Sequence, residues 1–293
     1  MTYLSSLLGL VSVGCALAIA TAAHTPSAVA PAFGTGHYQW LPQGKYNAQQ
    51  SLAARFPAPA GYERTKLAAG SFGEWLRYLP LLPAGTPVHL YNGQLKGRQD
   101  VHAAVLNMDT GTRDLQQCAD AVIRLRGEYL FSQNPNQVHF HLTSGNDVRF
   151  QDWLQGRTFR VVGEDVLPAT KPIEAPTHPV FRRYLDQIFT YAGTLSLSRE
   201  LVAVPLGQVQ PGDVLIRGGS PGHAVLVLDV AVHQSSGQRV VLLGQSYMPA
   251  QQVHVLKSGQ RPTSGAWFTL DANREQVVTP EWTFGRDELK RFE

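Results

Sequence analysis

Cys118 and His223 are the side chains best placed, by type and neighbourhood, to do covalent chemistry. A cysteine attacks as its thiolate, and a histidine titrates close enough to neutrality to take a thiol proton. Cys118 falls near the start of a segment whose apolar residues, Leu115, Ala119, Val122, Leu125 and Tyr129, recur at three- and four-residue spacing. The unsatisfied amides and dipole of a helix N-terminus favour an anion, so this position tends to lower a thiol pKa. The same spacing also sets Cys118 on the apolar stripe, where it would be ordinary core packing. His223 opens the apolar run Ala224 to Leu228 directly after the turn residues Gly218, Gly219, Pro221 and Gly222. A ring at such a strand end can meet a substrate, or can simply be satisfied by a turn carbonyl.

A third group follows from the hairpin. After Asp229 the chain turns at Ser235-Ser236-Gly237 and returns as Arg239 to Gly244, an antiparallel partner for the His223 strand. Counting from the turn pairs Val227 with about Gln245, which sets His223 and Gln245 on one face with a residue pair between them. Gln245 is then a candidate to orient the imidazole, with Asp213 and Asp120 as alternatives. The stretch QSYMPAQ from Gln245 to Gln251 is polar and irregular enough to line a groove. Trp153, Tyr191 and Tyr247 are candidates to bind a substrate or partner, and Trp267, Trp282 and Phe284 to pin the C-terminal tail.

His139 and His141 share one face of a strand over Gln137 to Leu142, with Phe140 on the other. No third Cys, His or carboxylate stands at a spacing that completes a metal site, so neither a metal nor another cofactor is expected.

The elements that must hold these groups are legible in outline. Ser71 caps a short helix through Phe72, Trp75, Leu76 and Leu79, with Glu74 in capping-box position. Val88 to Tyr91 reads as a strand entering the Asn92-Gly93 turn, and Val101 to Met108 as another. Asp109 to Phe131 forms the longest helix, with Thr112 or Asp114 as its cap. Arg157 to Val162 leads into a Pro-rich linker, Pro168 to Pro179, and Phe181 to Leu195 is a second amphipathic helix.

The chain has 293 residues, 43% of them hydrophobic and 16% charged, enough for a sizeable core. Its 25 basic and 22 acidic residues are interleaved, which does not point to nucleic acid. Leu4 to Ile19 is uncharged and largely apolar, with small residues following at Ala20 to Ala23. The order of expectation is a cleaved export signal, a membrane anchor over 4–23, then a lipoprotein modified at Cys15. Each places the body of the protein outside the cytoplasm, in the periplasm or cell envelope. A mature chain without Cys15 keeps Cys118 as its one thiol, so no internal disulfide can form. The expected organisation is a signal or anchor over 1–23, a loosely structured leader over 24–69, and one α+β domain over 70–293.

The order of a helix N-terminal Cys118, a strand-opening His223 and a polar Gln245 on the next strand resembles the papain-like fold. PGDVLI followed by GHAVLVLD is similar to cell-wall cysteine peptidases and amidases of the NlpC and CHAP type, over a core of about 110–250. That resemblance implies Cys118 as nucleophile, His223 as base and Gln245 as orienting group, with a peptide, amide or cell-wall substrate. Where those enzymes show Asp-Cys-Ser-Gly, this chain has Gln117-Cys118-Ala119-Asp120. Across its length the chain resembles a bacterial family, domain of unknown function 4846, through LRYLPLLPAGTPV, DLQQCADAVIRLRGEYL, FTYAGTLSLS, GDVLIRGGSPGHAVLVLD, GQSYMPAQQVHVLK and TPEWTF. That family implies export but no activity. The competing expectation is a non-catalytic envelope protein that binds a glycan, peptide or protein partner.

Overall fold

A computed structural model describes residues 37–259 and 265–293, all within one compact unit. The expected export segment lies outside the described residues. Among those described, no helix is long and apolar enough to cross a membrane.

The expected loose leader is corrected from residue 37 onward. Its residues form helix α1 (Leu52–Arg55) and strand β1 (Tyr62–Arg64), with Tyr38 and Leu52 fully buried. The Tyr38 ring lies 5.2 Å from both Tyr46 and Trp75, and its hydroxyl donates to the Trp75 carbonyl. These aromatics insert singly into the core rather than along one face of an element, so they show no period for a sequence reading to find.

Helix α2 (Phe72–Arg77) begins as expected, with the Ser71 hydroxyl accepting the Glu74 amide. The Glu74 carboxylate reaches back one residue further than a capping box requires, to the Gly70 amide. Strand β2 (His102–Val105) precedes helix α3 (Cys118–Gln133). That helix starts later than its apolar pattern suggests: Gln117 is the cap, its amide donating to Asp120 Oδ2 at 3.1 Å. Cys118 is therefore the first helical residue. Asp114, an expected cap, instead accepts from the Ala250 amide and the Gln117 side chain.

Beyond α3 come the hairpin β3 (His139–His141) and β4 (Asp147–Arg149), helix α4 (Phe150–Leu154), and the hairpin β5 (Arg157–Val162) and β6 (Asp165–Thr170). The start of the expected Pro-rich linker is thus strand. Helix α5 (His178–Tyr191) buries Tyr184, Leu185, Ile188 and Phe189, and α6 (Thr194–Glu200) follows.

The remaining strands are β7 (Val202–Ala203), β8 (Val214–Arg217), β9 (His223–His233), β10 (Arg239–Gln245), β11 (His254–Leu256), β12 (Trp267–Leu270), β13 (Gln276–Val278), β14 (Thr283–Gly285) and β15 (Leu289–Arg291). The main sheet runs β2-β11-β10-β9-β8-β15-β7, all antiparallel, with β1 added to β9 and β12 to β10. The near-continuous apolar run of β9 has its reason in this position: both faces are covered. Ala224, Leu226 and Leu228 join the core that includes α2 and α3, while Val225 and Val227 pack with Phe284 and Leu289. The architecture is α+β.

Candidate active site

The site gathers where the N-terminus of α3 meets the start of β9. Leu243 pairs with Val227 and Gly244 with Leu226, after a β-bulge between Leu242 and Leu243. The expected pairing of Val227 with Gln245 is thus off by two residues, part of it the bulge, which no turn count reveals. The shift brings the side chains together: His223 Nε2 lies 2.9 Å from Gln245 Oε1, both residues almost wholly buried.

Hydrogen-bond polarity fixes the state of the ring. Glu281 Oε2 accepts from Gln245 Nε2 at 2.8 Å, while Lys96 Nζ donates to Glu281 Oε1 at 2.7 Å. A carboxylate paired with an ammonium accepts only, so the Gln245 NH₂ must face Glu281 and its Oε1 must face His223. His254 agrees. Its Nδ1 donates to the Gln252 carbonyl at 2.9 Å, leaving Nε2 to accept from the Gln245 NH₂ at 3.5 Å. His223 therefore carries its proton on Nε2, and Nδ1 keeps a lone pair that can receive a proton. Glu281, Lys96 and His254 were not legible as site residues. Glu281 lies inside the family segment TPEWTF, but no spacing links it to Gln245.

The imidazole is walled by Tyr247, Trp282 and Phe284, with ring centroids 4.8, 5.3 and 6.0 Å away. The aromatic tail residues Trp282 and Phe284 are thus part of the site rather than only a clamp. A cleft of about 640 Å³ is lined by Cys118, Asp120, Thr194, His223, Tyr247 and Trp282. Backbone amides of Cys118, Ala119 and Ala224 face the Cys118 sulfur. Ser246 knits the two elements together, its hydroxyl 2.9 Å from the carbonyls of both Gln116 and Gln251.

Burial opposes charge at both reacting groups. It pushes the Cys118 thiol up to about 11, with the Asp120 carboxyl adding to the rise and the amides only partly offsetting it. Burial likewise lowers His223 to about 4 against the raising effects of Gln245 and Glu281. The thiolate favoured by a helix N-terminus is not the resting state: thiol and imidazole are both neutral. Asp120, also buried, is held well above the usual carboxylate range.

The other candidates fall elsewhere. Asp213 does not orient His223; it is bidentate to Arg291 at 2.6 and 2.8 Å. Asp120 lines the cleft, but its Oδ2 caps α3 and its Oδ1 has no hydrogen-bond partner, so it orients no ring. Trp153 is buried, donating to Gln187, and Tyr191 stacks edge-on against Phe159. Of the three proposed binding aromatics, Tyr247 alone lines the cleft.

The fold and site define an α+β protein in which Cys118, at a helix N-terminus, and a Gln245-bonded His223, at the start of a sheet strand, line one cleft. Residues 52–291 match the family model described as domain of unknown function (4846), and the chain belongs to that family. No curated protein and no solved structure matches the chain.

Proposed function

We propose that the protein is a papain-like cysteine hydrolase that cleaves a peptide or amide bond in cell-envelope material, working outside the cytoplasm. The observation that carries this reading is the His223 ring, locked by Gln245 with Nδ1 unprotonated, lining the same cleft as a cysteine at the first residue of a helix. The order Cys, His, polar residue and the similarity of GDVLI and GHAVLVLD to NlpC and CHAP enzymes support it.

In the reaction, His223 Nδ1 takes the thiol proton as Cys118 sulfur attacks the carbonyl carbon. The oxygen becomes an oxyanion received by amides of the first turn of α3. Collapse breaks the C–N bond, the imidazolium returns its proton to the leaving amine, and a thioester remains. Water, deprotonated by His223, then releases the acid and regenerates the thiol. Because both groups rest neutral, proton transfer accompanies attack rather than preceding it.

The test is release of new amino groups from isolated bacterial cell-wall peptides and from short peptide amides. Turnover is expected, falling about 100-fold or more in Cys118→Ala and in His223→Ala. Full activity of Cys118→Ala would overturn the thiol mechanism. A second reading, favoured by the neutral thiol, makes the same cleft a non-catalytic site for envelope peptides or glycans. It expects saturable binding without turnover, unchanged in Cys118→Ala.

A further inference from the structure

The hairpin β3–β4 assembles a set of ligands that sequence spacing alone does not show. Its register pairs His139 with Arg149 and His141 with Asp147, so these four residues share one face while Phe140 is buried on the other. His139, His141 and Asp147 each offer a ligand atom within 4.8 Å of the others. The third ligand missing from the linear pattern is thus supplied across the turn. We propose that His139, His141 and Asp147 form a binding site for a borderline divalent transition ion, with zinc as the representative ion and a water completing the shell.

The surroundings orient the donors as a metal site needs. His139 Nδ1 lies 2.9 Å from Asp147 Oδ1, and His141 Nδ1 lies 3.2 Å from Glu200 Oε2. A carboxylate accepts, so His141 is protonated on Nδ1 and keeps a lone pair on Nε2. An imidazole whose other nitrogen donates to a carboxylate is the usual form of a zinc-bound histidine. His139 Nδ1 and Asp147 Oδ1, by contrast, already face each other, and an ion between them would replace the proton they share. Glu200 is itself held, accepting the His141 backbone amide at 3.1 Å. Arg149 Nε takes Asp147 Oδ2 at 3.0 Å, which fixes the carboxylate and leaves Oδ1 turned toward His139. Two imidazoles and one carboxylate suit zinc in a shell that keeps one position open. Tetrahedral zinc at about 2.0–2.2 Å from each ligand needs donors roughly 3.3–3.5 Å apart. The rings are more than a third exposed, so side-chain rotation closes the remaining gap without moving the strands.

Calorimetric titration of the untagged, metal-stripped chain with zinc chloride tests the assignment, with cobalt(II) absorption reporting geometry. One zinc per chain is expected, with tetrahedral cobalt bands. His139→Ala and His141→Ala should each weaken zinc about tenfold or more and abolish the bands. Asp147→Asn should weaken zinc while preserving far-UV circular dichroism, and His233→Ala, on a different hairpin, should bind as the parent does. A parent chain that takes up no zinc, or hairpin variants that bind it like the parent, would overturn the site. The Cys118→Ala variant should bind zinc normally; loss of binding there would move the ion to the cleft and also overturn this proposal.

Discussion

At Cys118 two local effects compete. The first helical position favours a thiolate, and three backbone amides face the sulfur. Burial and the neighbouring Asp120 carboxyl win, leaving the thiol near 11. Alkylation of the native protein is therefore expected to be slow at neutral pH and to rise about tenfold per pH unit through pH 9, as the thiolate fraction does. Mass spectrometry of the Cys118 peptide after timed iodoacetamide exposure checks this. A fast rate persisting to pH 6 would instead show a thiolate–imidazolium pair. The imidazoles have a consequence for stability. His223 falls to about 4 and His254 to about 3 on folding, against an ordinary 6.5. Between roughly pH 4 and 6.5 the unfolded chain binds protons that the folded chain does not, so stability is lost as pH falls through that window. Each ring contributes a slope of up to about 1.4 kcal/mol per pH unit. Urea unfolding at pH 4.5, 5.5 and 6.5 should show a shallower loss in His223→Gln than in the parent, and equal slopes would contradict the buried neutral ring.

The turn from β8 into β9 carries the His223 backbone. Gly218 to Gly222 reads as a turn from sequence, and the structure shows why side chains are refused there. A Cβ on Gly222 would overlap the Gly219 carbonyl oxygen and Thr194 Oγ1 and stand 2.8 Å from the Arg217 carbonyl oxygen. Thr194 Oγ1 also donates to the Gly219 carbonyl, so α6 and the turn leave no slack. Gly222→Ala should cost about 1–3 kcal/mol through overpacking. It should lower Tm by roughly 3–10 °C in thermal denaturation; a variant as stable as the parent would mean the turn relaxes freely. This strand–turn–strand unit was legible because turn chemistry and apolar runs are local signals: β9 begins at His223 as expected. The start of α3 was not, because the helical period extends back to Leu115 while Gln117 and Asp120 set the cap by side-chain geometry. Gln245 was found on the right face but in the wrong register, since a bulge depends on packing between strands. The Glu281 and Lys96 pair behind it joins residues 185 positions apart. Nothing local in the sequence encodes that meeting.

Over the molecule as a whole, the N-terminal residues expected as a leader are tied to the centre of the sheet through one carboxylate. Asp229, in mid-β9, is fully buried and accepts from Arg64 Nε at 2.6 Å and from Arg77 Nε and Nη2 at 3.0 and 2.7 Å. Arg64 extends the network to the carbonyls of Ala53 and Phe56, and Arg77 to that of Thr65. Thus β1, the end of α1 and α2 all converge on the strand whose first residue is His223. Asp229→Ala strands two guanidinium groups, 22% and 12% exposed, without their anion. A loss of about 3–5 kcal/mol is expected, the cost of leaving buried charge unpaired rather than the net worth of the pair. Urea unfolding measures the size, and limited proteolysis decides what the loss means. If residues 37–69 belong to the same cooperative unit as the cleft, they and β9 become protease-sensitive together in one transition. Early cleavage of 37–69 that left β8 to β10 protected would show an appended segment that the site does not need. The burial of Tyr38, Leu52 and Trp75 in the same core cluster as Leu226 and Leu228 argues for joint loss.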